Sequence, residues 1–147
     1  MEKKIDGQNL IPLPAYIKEA WNLPETDIKS YSGLALAYIG DAIYDLVIRT
    51  YVIEHGNAPV NKLHKQVIKL VQASAQARLY HLIQDILTEE EEAIYKRGRN
   101  AKSFTSAKNA DLIEYRTATG IEALIGYLYL TGQTTRILEL IHPIINE

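Results

Sequence analysis

The chain contains no cysteine, which excludes a disulfide framework, thiolate metal centres and a cysteine nucleophile. It also lacks an apolar run long enough to cross a bilayer. The stretch from Ile121 to Leu130 comes closest, at about half the usual span. Met1-Glu2-Lys3-Lys4 leads into no signal-like apolar segment, so the expected location is the cytoplasm and no membrane partner is expected. No long alternating β-branched run suggests a sheet, and there is neither a clear repeat of solenoid length nor a low-complexity tract. Several catalytic motifs are missing too. There is no phosphate-cradling Gly-rich loop, no Gly-x-Ser-x-Gly elbow and no His-Asp dipeptide. Glu139 and His142 form one Glu-x-x-His, whereas a carboxylate-bridged di-iron bundle needs two.

What is present is enough for one globular domain over residues 1–147, since 47% of the residues are hydrophobic. The pattern between glycines and prolines is mostly helical, so the expected class is all-α. A short helix is expected around Ala15 to Trp21, between Pro14 and Pro24. A long one follows from about Ser32 to Glu54, ended by His55-Gly56. Pro59 suits the first turn of a third, running to about Val71, and Ser74 is a candidate cap for a fourth reaching Ile86. Thr88 to Arg97 comes next, with Thr88-Glu89-Glu90-Glu91 in capping-box form and Gly98 as the stop. A polar linker from Gly98 to about Ala110 leads to a helix centred on Glu122 and ending at Gly132. A last helix spans Thr135 to Leu140, before His142-Pro143. The ten tyrosines fall mostly at helical spacing and are expected at the core or its edge.

The segment Leu36-Ala37-Tyr38-Ile39-Gly40-Asp41-Ala42-Ile43-Tyr44-Asp45 places two carboxylates inside an apolar helical run. A buried, unpaired carboxylate costs several kcal/mol, so it must be neutralised, hydrogen-bonded or bound to a cation. Asp41 and Asp45, four apart, share one helix face. Glu122-Ala123-Leu124-Ile125-Gly126-Tyr127-Leu128 echoes this segment with small Ala and Gly positions and one acid. Small residues let helix backbones approach, so these two helices are the candidates for a central packed pair whose acids meet. Plainer readings exist for each acid. Asp41 after Gly40 fits a cap restarting the helix, Asp45 fits an i,i+4 ion pair with Arg49, and Glu122 near a helix start fits the macrodipole.

Net charge is −2, which by itself proposes no nucleic-acid partner. The distribution differs from the balance. Lys96, Arg97, Arg99, Lys102 and Lys108 follow the acidic block Glu89 to Glu92, with no acid from Lys96 to Ala110. Helix electrostatics accounts for bases before a helix stop, and phosphate contacts account for bases continuing beyond it. His64 and His81 read as surface or edge residues, with His64 beside Lys65 also placed to touch a phosphate.

Three spaced motifs together resemble the ribonuclease III family. Leu36 to Asp45 resembles its signature helix, and Gly120-Ile121-Glu122-Ala123-Leu124-Ile125-Gly126 resembles its second, Glu-opened helix. Arg97-Gly98-Arg99-Asn100-Ala101-Lys102-Ser103, Lys108-Asn109, Tyr115-Arg116 and Thr119-Gly120 are similar to the family's minimal branch, a catalytic domain with no RNA-binding domain appended. The likeness runs from about Leu34 to Leu140. Two positions depart from the full-length enzymes: Ala37 replaces a Glu and Thr119 an Asp, a reduction that the minimal branch shares.

The resemblance implies the ribonuclease III endonuclease-domain helical fold, a homodimer and hydrolysis of double-stranded RNA to 5′-phosphate products. It implies Mg²⁺ held by Asp41 and Glu122, with Asp45 as a third catalytic acid acting on the groups around the metal or through water. Arg97, Arg99, Asn100, Lys102 and Lys108 would grip the RNA backbone, with His64 and Lys65 adding contacts. It further implies maturation of the 23S ribosomal RNA precursor with help from a large-subunit ribosomal protein. The alternative is a non-catalytic RNA-binding or ribosome-associated module, which Ala37 and Thr119 favour.

Overall fold

The computed structural model describes residues 12–102 and 109–146. Among these there are helices and no strands. The elements are α1 (Leu13–Trp21), a 3-10 turn (Ile28–Ser30), α2 (Gly33–Ile53), α3 (Val60–Val71), α4 (Ala73–Ile83), a second 3-10 turn (Gln84–Ile86), α5 (Glu89–Arg99), α6 (Asn109–Leu130) and α7 (Thr134–Ile145).

Local chemistry sets several boundaries. The Ser32 side chain accepts from the Ala35 amide at 3.0 Å and starts α2. At α5 the capping box forms in full: Thr88 Oγ1 accepts from the Glu91 amide, and Glu91 Oε1 accepts from the Thr88 amide, both at 3.0 Å. Four acids in the first turn of α5 and three bases in its last turn complement the helix dipole.

The centre is α6. Its residues Ile121, Leu124, Ile125 and Leu128 are buried among Leu36, Tyr44 and Ile48 of α2, Leu79 of α4, Tyr95 of α5 and Leu140 of α7. The largest contact is with α2, and small residues allow it. A side chain at Gly40 would overlap the carbonyl of Glu122, and one at Gly126 would overlap the carbonyl of Leu36. The two backbones therefore touch, as the paired small positions predict.

Other expectations need correction. Gly98 does not stop α5. It lies within the helix, where a Cβ would come 2.8 Å from the Thr119 carbonyl, so its small size serves the α5–α6 approach. Ser74 is not a cap, because α4 begins at Ala73 after Gln72 with no side-chain cap. The helix expected to reach Ile86 ends at Ile83, and residues 84–86 form the 3-10 turn. The last helix runs through Pro143 to Ile145. Burial of Ile137, Leu140, Ile141 and Ile144 along one face outweighs the lost amide donor there.

Most described tyrosines lie in or beside the core, but Tyr16 and Tyr38 are well exposed, Tyr38 at 84%. At one corner Arg136 of α7 donates to both carboxylate oxygens of the buried Glu91, at 2.9 and 2.8 Å, and to the Ile86 carbonyl at 2.7 Å.

Candidate active site

The backbone contact at Gly40 decides what happens one residue later. Because Gly40 rests on the Glu122 main chain, Asp41 of α2 is delivered beside the Glu122 side chain, and the two carboxyl groups come within hydrogen-bonding reach. Asp41 therefore sits inside a continuous helix, which rules out the cap reading. It is exposed, whereas Glu122 is largely covered.

Burial first, and then the charge of Asp41, push the Glu122 carboxyl up to about 8; donation from Gln76 acts in the opposite sense. Two like-charged acids in one partly covered site cannot both ionise freely near neutral pH. They retain a proton or take up a cation.

Gln76 of α4 was not singled out from sequence. Its amide Nε2 donates to Glu122 Oε2 at 3.1 Å and to the Val71 carbonyl at 2.9 Å. The signal was faint: Gln76 sits in Ala73-Ser74-Ala75-Gln76-Ala77 between Ala75 and Ala77, which turn inward. Tyr44, buried near Glu122, donates to the Leu70 carbonyl at 3.0 Å. Burial, followed by the nearby Glu122 charge, raises its phenol well above the usual range, so it remains a neutral donor.

The remaining residues read from sequence divide into groups. Asp45 lies one turn from Asp41 and accepts from Arg49 Nε at 2.6 Å, which realises the i,i+4 pair. Ala37 is buried, and Thr119 uses its hydroxyl on the Tyr115 carbonyl at 2.9 Å, so neither position supplies a carboxylate. Among the described residues no cluster of three or more acids or histidines forms. The donor set is the pair Asp41 and Glu122. That set fits Mg²⁺, which commonly takes one or two carboxylates, keeps several waters and completes its shell with substrate phosphate.

The basic segment is not uniform. Arg97 donates to the Tyr31 carbonyl at 2.8 Å and to the Lys29 carbonyl at 2.7 Å, so its guanidinium clamps the first 3-10 turn onto α5. Its own carbonyl abuts Gly33, about 12 Å along α2 from Asp41 at 1.5 Å per residue. Arg99 lies 5.7 Å from the Tyr95 ring centre and donates to Asn100 Oδ1 at 3.1 Å. Lys102 is exposed, as are His64 and Lys65 on α3. Lys108 lies outside the described residues.

A ribonuclease III domain model matches residues 34–133. That range spans both acid-bearing helices. The chain belongs to the ribonuclease III family and is an endoribonuclease, a hydrolase. Its similarity is most specific to proteins named Mini-ribonuclease 3. The Enterococcus faecalis protein of that name is 55% identical over 79% of this chain and 89% of its own. The one from a Thermoanaerobacter species is 50% identical over the whole of both, and the one from Staphylococcus aureus is 44% identical over 84% of this chain and 94% of its own. A crystal structure of a Fusobacterium nucleatum protein superposes with a TM-score of 0.73 at 38% identity, covering 83% of this chain and 98% of that one. The minimal branch that the Arg97 to Ser103 segment resembles is thus the one the relatives represent.

Proposed function

We propose that this endoribonuclease cuts double-stranded RNA with Mg²⁺ held between Asp41 and Glu122, leaving 5′-phosphate ends. The observation that carries the reading is the meeting of those two carboxyl groups at the α2–α6 crossing. A divalent cation in such a site supplies Lewis acidity toward the phosphodiester and a means of activating water at neutral pH. The chain's own groups do the rest. Glu122 would give up its retained proton to bind a cation, and Gln76 donates to one of its oxygens. Asp41 presents an exposed carboxylate at the rim, where substrate phosphate arrives. Asp45, one turn on, would act on the groups around the cation or through water.

Arg97, Arg99, Asn100 and Lys102 are proposed contacts to phosphates and 2′-hydroxyls. Lys108, His64 and Lys65 are proposed as further contacts. A-form RNA offers shape and 2′-hydroxyls in its shallow minor groove, so selectivity should be structural before it is sequence-based. One acidic pair per chain supports action as a two-fold homodimer, with one pair for each strand. The similarity to Mini-ribonuclease 3 proteins supports maturation of the 23S ribosomal RNA precursor in the cytoplasm, with a large-subunit ribosomal protein shaping the substrate.

The test is cleavage of an end-labelled hairpin from that precursor by purified protein, with Mg²⁺ and with EDTA, for wild type and Asp41→Asn. Cleavage in wild type with Mg²⁺ alone is expected. A wild type that cuts the hairpin equally well in EDTA, or an Asp41→Asn variant that cuts like wild type, would overturn the reading of Asp41 and Glu122 as the Mg²⁺ site.

A further inference from the structure

We propose that Gln76 is a positioning residue for the reaction, holding Glu122 in its cation-binding orientation by donating to one of its oxygens while anchored to the end of α3. The inference rests on the cation reading of Asp41 and Glu122 given above.

Gln76 is 2% exposed. Neighbouring Ala75 and Ala77 are buried as well, at 0% and 9%, so α4 lies close against α6 and the amide has little room to rotate. Both hydrogens of its NH₂ group are committed. One goes to the Val71 carbonyl in the last turn of α3, a group with no partner inside its own helix, and the other goes to Glu122 Oε2. Two acceptors on different elements fix the plane of the amide. The fixed amide then fixes Oε2.

The opposite end of the same side chain shows that this arrangement is not simply the best way to fill the space. Gln76 Oε1 is buried with no hydrogen-bond partner, alone in that respect among the described residues. Leaving a buried acceptor unmade costs free energy that an apolar side chain of equal length would avoid. A merely space-filling position would favour methionine or leucine. Without the donor, Glu122 Oε2 would lose the fixed group that holds it, and the carboxyl would be free to turn away from the orientation in which both acids face one cation. Groups that orient a metal ligand typically change metal affinity or activity by about 10–100-fold when removed.

The test measures Mn²⁺ binding to the full chain by electron paramagnetic resonance, without RNA, alongside hairpin cleavage with Mg²⁺. Gln76→Met keeps the length and removes both donors. It should weaken Mn²⁺ binding at least about tenfold and raise the Mg²⁺ concentration for half-maximal cleavage in parallel, with KM for the hairpin unchanged. Gln76→Asn, a polar variant whose amide is one carbon too short to reach Glu122, should show the same loss and serves if the methionine variant does not fold. A lower melting temperature with unchanged Mn²⁺ affinity would mean that Gln76 only completes the end of α3, and would overturn the proposal. If wild type neither binds Mn²⁺ nor cleaves, the cation reading itself falls and takes this inference with it. If wild type does both and the folded variants match it, only the role of Gln76 is lost.

Discussion

Gly40 and Glu122 touch through their backbones: the Glu122 carbonyl occupies the place where any other residue at position 40 would carry its Cβ. The contact joins the two longest helices and sets the spacing of the acidic pair beside it.

Gly40→Ala therefore tests the fold and the site together. Overpacking costs about 1–3 kcal/mol, and here the clash is with main-chain atoms that cannot swing aside. We expect a loss at the upper end of that range or beyond in urea denaturation, together with strongly reduced cleavage. Unchanged stability would contradict the close crossing.

Asp41→Asn and Glu122→Gln should abolish cleavage while leaving circular dichroism and hairpin binding largely intact. Without metal, each should unfold at a higher temperature than wild type, because removing one acid relieves repulsion in the pair. Asp45→Asn should be milder, since its carboxylate is engaged with Arg49. Near-normal turnover in folded Asp41→Asn would remove Asp41 from the catalytic assignment.

The raised Glu122 carboxyl fixes a sign for pH dependence. Burial and then Asp41 lift it to about 8 in the folded chain, against 4.5 for the unperturbed group. Between those values the folded state holds a proton that the unfolded state has lost. This group's contribution to stability therefore falls as pH rises through the window. In EDTA, the stability advantage of Glu122→Gln over wild type should grow from pH 5 to pH 8, measured as the difference in urea midpoint. A constant difference would place Glu122 in a water-like setting. Added Mg²⁺ should stabilise wild type more at the upper end, because cation binding releases that proton.

The basic segment should separate into two behaviours. Arg97→Ala removes charged donors from two carbonyls, so about 1–2 kcal/mol of stability should be lost. Arg99→Ala and Lys102→Ala should instead each reduce the salt slope of hairpin binding by about one, with little effect on stability. If Arg97→Ala shows the larger change in salt slope, its guanidinium serves the RNA before it serves the fold.

What could be read from the sequence was whatever depended on a local pattern. Ser32 and Thr88 announced helix starts because their side chains cap amides three residues on, and the paired small residues around Gly40 and Gly126 announced the crossing that brings Asp41 to Glu122. What could not be read depended on distant partners. Gly98 looks like a stop until the Thr119 carbonyl is seen against it, and Pro143 looks like a terminator until one buried face of α7 carries the helix past it. Gln76 was invisible for a related reason. A lone Gln among alanines has an ordinary surface composition, and only the packing of α4 on α6 turns it toward an acid 46 residues away. The anchoring of Arg97 to the first 3-10 turn had no local signal either, because its two carbonyl acceptors lie more than 60 positions upstream.

Arg136 lies at the corner where α7 meets the start of α5, with one guanidinium shared between the Ile86 carbonyl and the Glu91 carboxylate. Glu91 also completes the cap that starts α5, so the terminal helix and the nucleation of an internal one draw on the same charge. Neither can come loose alone. If α7 detaches, a buried carboxylate is stranded and the first turn of α5 frays with it. Amide protons of α7 and of the α5 entry should then exchange with solvent as one cooperative unit, although more than 40 residues of chain separate them.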